Sequence, residues 1–245
     1  MKNYLIDTHA HLDMLKDFDI SGVGKIVVPS VDVNSMDNVV GLSNNHNIFS
    51  MIGIYPTEAK TYSSIVEEKM FLLAQNSKVV AVGEIGLDYY WDKTYIELQK
   101  EVFIKQIILA NKLNLPIVVH NREAYRDCFD IIKQYNRTSK VLFHCFSGSV
   151  EYMWECVNEG WYIALGGVVT FKNAKKIKEV AKEVPLDKLV LETDSPYLTP
   201  VPFRGKENKP ALIKYVAEEI AKIKNISFDE IVDITTTNAE EFFNI

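Results

Sequence analysis

Cysteine is scarce in this chain of 245 residues: Cys128, Cys145 and Cys156 form an odd set without C-x-x-C spacing. That excludes a disulfide framework and a thiolate zinc site, and the three read as reduced thiols. Cys145, directly after His144, is expected to be a small buried hydrophobe on the helix-covered face of a strand. No apolar run approaches the roughly 20 residues that cross a bilayer, and the β-rich pattern begins without a charged and apolar leader. The expectation is a cytoplasmic enzyme with no membrane association. Positive charge is also short, with 27 basic against 33 acidic side chains and a net charge of −6. A surface that coats nucleic acid generally is thereby disfavoured, so any polyanion must be held locally. No feature indicates an obligate protein partner.

Histidine is rare too, yet four of the five sit where an apolar run stops. His9 and His11 follow Tyr4 to Ile6, His120 follows Pro116 to Val119, and His144 follows Val141 to Phe143. Two imidazoles two residues apart on a strand share one face and present two nitrogen donors on one wall. Acids occupy equivalent places, with Glu84 closing Val79 to Gly83 and Asp194 closing Leu189 to Thr193. A carboxylate ending such a run costs several kcal/mol to bury unless a cation or hydrogen bonds compensate it, and a shared metal centre supplies that compensation. The fifth histidine, His46, lies in the polar stretch Asn44 to Asn47 and reads as a solvated loop residue.

Eight short β-rich runs recur: Tyr4 to Ile6, Lys25 to Val28, Phe49 to Ile54, Val79 to Gly83, Ile117 to Val119, Val141 to Phe143, Tyr162 to Leu165 and Leu189 to Leu191. Amphipathic stretches such as 94–113, 122–134 and 173–183 separate them, with apolar residues at three- and four-residue steps. The alternation predicts an α/β chain, a single-domain (β/α)8 TIM barrel over 1–245, with its metal site at the C-terminal ends of the strands. An open doubly wound sheet is the rival, but it spreads those strand ends along a line. Pro29 interrupts the second run. The tail from Lys209 reads as two or three helical pieces, with a capping box at Ser227 to Glu230 and another cap at Thr237-Asn238.

At this point the motifs can be compared as an ordered set. Asp7-Thr8-His9-Ala10-His11-Leu12-Asp13, Gly83-Glu84-Ile85-Gly86-Leu87-Asp88-Tyr89, His120-Asn121-Arg122-Glu123-Ala124, His144-Cys145-Phe146-Ser147-Gly148-Ser149, Glu192-Thr193-Asp194-Ser195-Pro196-Tyr197-Leu198 and Arg204-Gly205-Lys206 run nearly end to end. Together they resemble the TatD family of metal-dependent deoxyribonucleases, within the amidohydrolase-like barrel enzymes. The resemblance implies that His9, His11 and Asp194 hold one divalent ion, that His120 and His144 hold a second, and that Glu84 bridges the two. It also implies trimming of single-stranded DNA from a 3′ end. One departure is Tyr55, in Gly53-Ile54-Tyr55-Pro56, where relatives commonly carry histidine; a phenol with a pKa near 10 can donate a hydrogen bond but is a poor base.

The expected chemistry is phosphodiester hydrolysis with two divalent ions, magnesium, manganese or zinc, and with Asp194 and Glu84 as the catalytic carboxylates. Asp194 orients the attacking water and accepts its proton. Arg122, one of four arginines, suits phosphate oxygens, as do Arg204 and Lys206 in the loop after Asp194, and Tyr55 completes the expected substrate contacts. Lys172, Lys175, Lys176 and Lys178 read as a solvated helix face. Tyr89, Tyr90 and Trp91 either stack on bases or pack, and Asp88 either orients a ligand or caps its own loop. Two other readings use the same residues: hydrolysis of a small ester, lactone, amide or phosphate, and a metal-stabilised binding protein without turnover.

Overall fold

The apolar runs become strands because their Val, Ile and Leu side chains are buried on both faces, the usual state of a helix-covered parallel sheet. The computed structural model describes residues 2–45, 47–91, 93–137 and 140–245, so His46 lies outside the described residues. In chain order the elements are β1 (Leu5–Asp7), β2 (Val23–Pro29), α1 (Ser35–Leu42), β3 (Ile48–Ile52), α2 (Ser64–Leu73), β4 (Val79–Asp88), α3 (Ile96–Leu113) and β5 (Ile117–Arg122). They continue as α4 (Tyr125–Tyr135), β6 (Val141–Phe143), α5 (Val150–Asn158), β7 (Tyr162–Leu165), α6 (Lys175–Glu183), β8 (Leu189–Leu191), α7 (Ile213–Lys224) and α8 (Phe228–Phe243).

The eight strands form one sheet in chain order. The pairings β1–β2, β3–β4, β4–β5, β5–β6 and β7–β8 are parallel. Past β1, the Thr8 backbone N–H and hydroxyl both donate to the Leu191 carbonyl, at 3.1 and 3.0 Å, which joins β8 back to β1. This is the (β/α)8 barrel fold, and the joined first and last strands exclude the open sheet.

Several local expectations change. Pro29 ends β2 rather than interrupting it. Glu84 and His120 lie inside their strands, because β4 continues through Asp88 and β5 through Arg122, paired as Gly86 with His120 and Asp88 with Arg122. Gly86 permits that pairing: it has φ +144°, and a Cβ there would stand 2.0 Å from the His120 carbonyl oxygen. The capping box at Ser227 and Glu230 starts α8. The second cap does not form, since Thr237 and Asn238 lie in the middle of α8. There the Thr237 hydroxyl donates to the Asp233 carbonyl, and the Asn238 amide donates to the carbonyls of Leu186 and Leu189. No described helix is long and apolar enough to cross a membrane.

The chain packs as two compact units, one comprising 29–143 and the other 1–28 with 144–245. In the first, α3 lies on β4, and Met51, Ile52, Ile85, Leu87, Phe103 and Phe143 are fully buried. In the second, α8 packs on β1 and β8 with Phe242 buried. Each such side chain contributes about 1.5–3 kcal/mol of transfer free energy.

Candidate metal centre

In the unit formed by 1–28 and 144–245, β1 ends at Asp7, and the next residues are pinned by backbone hydrogen bonds rather than by strand pairing. Ala10 N–H donates to Val27 (3.2 Å), His11 N–H to Ser195 (2.8 Å) and Asp194 N–H to the His9 carbonyl (2.9 Å). His9 and His11 therefore meet at one point, although neither is within the strand whose alternation suggested it. Their Nε2 atoms stand 3.9 and 3.5 Å from the same Asp194 oxygen. The His9 ring stacks on His144 with centroids 3.9 Å apart. Asp194 has φ +55°, which turns its side chain at the end of β8 at a conformational cost of about 1–3 kcal/mol. Burial alone would raise its carboxyl pKa, but the hydrogen bond to His11 and the charges of His9, His144 and His11 hold it below the usual carboxylate range.

Two further buried acids belong here, and neither was singled out from the sequence. The Asp7 carboxylate accepts from Thr193 N–H (2.9 Å), the Thr193 hydroxyl (2.6 Å) and His9 N–H (3.3 Å), tying the ends of β1 and β8 together. Burial pushes its carboxyl up to about 7, against those hydrogen bonds. Glu192 is fully buried, and its Oε1 accepts from the Cys145 N–H at 2.6 Å. Its Oε2 is 3.7 Å from His144 Nδ1 and has no hydrogen-bond partner among the described residues. The signal for both was present: each acid stands directly after apolar residues, Leu5-Ile6 before Asp7 and Leu189 to Leu191 before Glu192. Cys145 is half-buried at φ +43°, past the end of β6 rather than facing the helices as expected.

Spacing tests the fit to a metal. Two donors at about 2.0–2.1 Å from a tetrahedral ion stand roughly 3.3–3.4 Å apart, at or beyond the long end of the hydrogen-bond range. The 3.5, 3.7 and 3.9 Å separations above are near that value, and ligand atoms of His9, His144 and Glu192 all lie within 4.8 Å of one another. The imidazole and carboxylate donors, with one buried oxygen lacking a hydrogen bond, fit a divalent ion.

In the unit formed by 29–143, Glu84, Asp88 and His120 come together on β4 and β5 at hydrogen-bond lengths. Glu84 Oε1 is 2.9 Å from His120 Nδ1, and Asp88 Oδ2 is 3.1 Å from His120 Nε2. Asp88 Oδ1 accepts from the N–H groups of Tyr90 (2.9 Å) and Trp91 (3.0 Å), so this side chain both orients the histidine and caps its own loop. Burial works to raise the Asp88 carboxyl, yet the bonds from His120, Trp91 and Tyr90 hold it below its ordinary value. The Gln99 side chain grips the Asp88 backbone at both N–H and carbonyl, at 2.9 and 3.1 Å.

Tyr55, an expected substrate contact, places its hydroxyl 3.2 Å from Asp88 Oδ2 and 3.0 Å from His120 Nε2. Burial, then the neighbouring Glu84 and Asp88, raises its pKa far above the ordinary phenol value, so it stays protonated. Arg122 lies over the rings of Tyr90 and Trp91, 3.9 and 5.2 Å from their centroids. Tyr89 is half-buried and donates to Asp127 at 2.6 Å. In the other unit, Arg204 and Lys206 are exposed in the loop after β8, Arg204 lying 4.0 Å over Phe171. Lys178 pairs with Glu219 at 2.6 Å, while Lys172, Lys175 and Lys176 are exposed.

Comparison with known proteins agrees with these motifs. The sequence model of the family described as TatD related DNase matches residues 6–244. The chain is 44% identical to the uncharacterized metal-dependent hydrolase YabD of Bacillus subtilis, covering 98% of this chain and 99% of YabD. It is 36% identical to the uncharacterized metal-dependent hydrolase YcfH of Escherichia coli K12, covering 99% and 96%. Among solved structures, the TatD homolog YjjV of Escherichia coli K12 superposes with a TM-score of 0.92 at 30% identity, over 98% of each chain. A TatD family hydrolase of Entamoeba histolytica superposes with a TM-score of 0.84 at 25% identity, over 99% of each. The chain belongs to the TatD family of metal-dependent hydrolases.

Proposed function

We propose that this protein hydrolyses phosphodiester bonds of DNA as a 3′–5′ exonuclease on single strands, the whole of 1–245 acting as one hydrolase domain. The observation that carries the reading is the buried convergence of His9, His144 and Glu192 in a chain matched by a DNase family. In the proposal, His9, His11 and Asp194 would hold one divalent ion and His120 and His144 another, with Glu84 as a further ligand. Magnesium, manganese or zinc bound there would supply positive charge against the phosphate and lower the pKa of water.

The chain's own residues position and move the proton. Asp194, kept charged by its imidazole neighbours despite burial, orients the attacking water and accepts its proton. Asp88 fixes the His120 ring through Nε2 and leaves Nδ1 toward Glu84, the way a carboxylate commonly orients a ligating imidazole. Tyr55 reaches the reaction through these two groups. Arg122, Arg204 and Lys206 take the phosphates of the strand, local cations on a chain whose net charge is −6. Three cysteines, an odd set without C-x-x-C spacing, suit a reducing compartment, and the proposed location is the cytoplasm.

The test is nucleotide release from labelled single-stranded DNA by wild type, Glu84→Ala and Asp194→Asn, with metal content measured in each folded protein. Loss of at least about 100-fold in turnover is expected for both variants. Unchanged turnover in both, or hydrolysis of small esters with no release from DNA, overturns the reading.

A further inference from the structure

Tyr90 and Trp91 are half or more exposed, at 50% and 66%, where large aromatics ordinarily bury. They are nonetheless held in place. Both N–H groups donate to one oxygen of Asp88, the rings meet edge to face at 4.9 Å, and Arg122 lies over the Tyr90 face at 3.9 Å. Their neighbour Tyr89 shows what a packing residue does in this loop: it is half-buried, and its hydroxyl is spent on Asp127.

We propose that Tyr90, Trp91 and Arg122 form a base-stacking subsite for single-stranded nucleic acid, one carboxylate away from His120. The inference rests on the DNase reading and gives its unpaired strand a named place to stack. Three features support it. An exposed indole face accepts any base, since every base has a π-face, and an unpaired strand leaves that face available. The Arg122 fork adds a donor for the adjoining phosphate, and its stacking on Tyr90 keeps it extended at low entropic cost. Finally, Asp88 joins subsite and candidate ligand physically: Oδ1 holds the Tyr90-Trp91 backbone while Oδ2 holds the His120 ring. A base stacked on Trp91 therefore sits in fixed relation to the imidazole proposed to hold an ion.

The experiment measures binding without turnover, in chelator. The probes are a short single-stranded oligothymidylate and an abasic deoxyribose-phosphate strand of equal length, titrated against wild type, Trp91→Ala, Trp91→Phe and Arg122→Ala. Trp91→Ala should weaken the oligothymidylate about tenfold and the abasic strand less than twofold, with Trp91→Phe recovering most of the loss. Arg122→Ala should weaken both strands alike. Equal affinity of wild type and Trp91→Ala for oligothymidylate, equal losses on both strands in Trp91→Ala, or no binding by wild type overturns the subsite. The two proposals fail separately: base-dependent binding without hydrolysis in metal sinks the nuclease reading alone, and hydrolysis with unaltered binding in Trp91→Ala sinks the subsite alone.

Discussion

The two clusters of ionisable side chains use the same residue types to different ends. In the unit of 29–143, the His120 nitrogens meet Glu84 and Asp88 at 2.9 and 3.1 Å, lengths at which hydrogen bonds alone account for the arrangement. In the unit of 1–28 and 144–245, the imidazole-to-carboxylate separations lengthen to 3.5–3.9 Å, and a buried Glu192 oxygen has no hydrogen bond among the described residues. The first cluster is organised by its own protons. The second sets the half-buried, charged Asp194 among imidazoles at separations that fit a cation. Metal dependence should therefore be written unevenly into the stability of the chain.

The largest expected effect tests that unevenness directly. A ligand at about a thousand times its Kd stabilises the folded state by roughly 4 kcal/mol, and chelation removes that contribution. Hydrogen exchange with and without metal should show faster exchange at the amides of His11, Cys145 and Asp194 after chelation, with little change at Asp88, Tyr90 and Trp91. Equal deprotection of both groups would erase the distinction. Next in size is Glu192→Gln, which keeps the shape but withdraws the charge facing His144. Metal affinity by competition should fall about 10- to 100-fold, and turnover should return at high metal concentration. Unchanged affinity would mean that the Cys145 amide alone justifies Glu192.

How far these clusters could be read from the sequence depends on which interaction fixes each residue. All eight strands were legible because buried parallel strands are written as apolar runs, whereas the extension of β4 and β5 through Asp88 and Arg122 was not. Those residues are polar, and what keeps them extended is tertiary: Gln99 on the Asp88 backbone and the absent side chain of Gly86. His9 and His11 were expected to converge through strand alternation, and they converge instead through hydrogen bonds to β2 and to the segment after β8. Glu192 does not stand out in the sequence because it and Asp194 follow the same apolar run. Tyr89 could not be separated from Tyr90 and Trp91, since Asp127, which claims it, is distant in sequence.

A smaller effect separates the metal cluster from the rest of its unit. Glu240 on α8 accepts from Lys2 (2.5 Å), Tyr4 (2.7 Å) and Lys25 (2.8 Å), fastening α8 to β2 and to the residues just before β1. Burial would raise its carboxyl, but those bonds lower it from 4.5 to about 2. A depressed carboxyl contributes stability that is present above its unfolded pKa and lost as pH falls through the folded one. Glu240→Gln should cost about 1–2 kcal/mol near neutrality, discounted for partial exposure, with the difference from wild type shrinking between pH 4.5 and 2 in denaturant titrations. Metal content should stay constant throughout. A loss of bound metal in this variant would show that the stability of α8 and the integrity of the cluster are not separable.

The smallest effect is expected at Tyr55, and it bears on the hydrogen-bonded side of the comparison. If His120 is fixed by Glu84 and Asp88 together, the phenol is a third constraint on a ring already held at both nitrogens. Tyr55→Phe removes one hydroxyl, a net cost of about 1 kcal/mol, and Asp88 keeps its bonds to His120, Tyr90 and Trp91. Turnover should then fall no more than about fivefold, with KM for DNA unchanged, because the hydroxyl already faces Asp88 and His120. A rise in KM would return Tyr55 to the substrate. A drop of 100-fold in turnover with intact metal binding would instead mean that the angle of the His120 ring is set by the phenol, leaving the two carboxylates insufficient on their own.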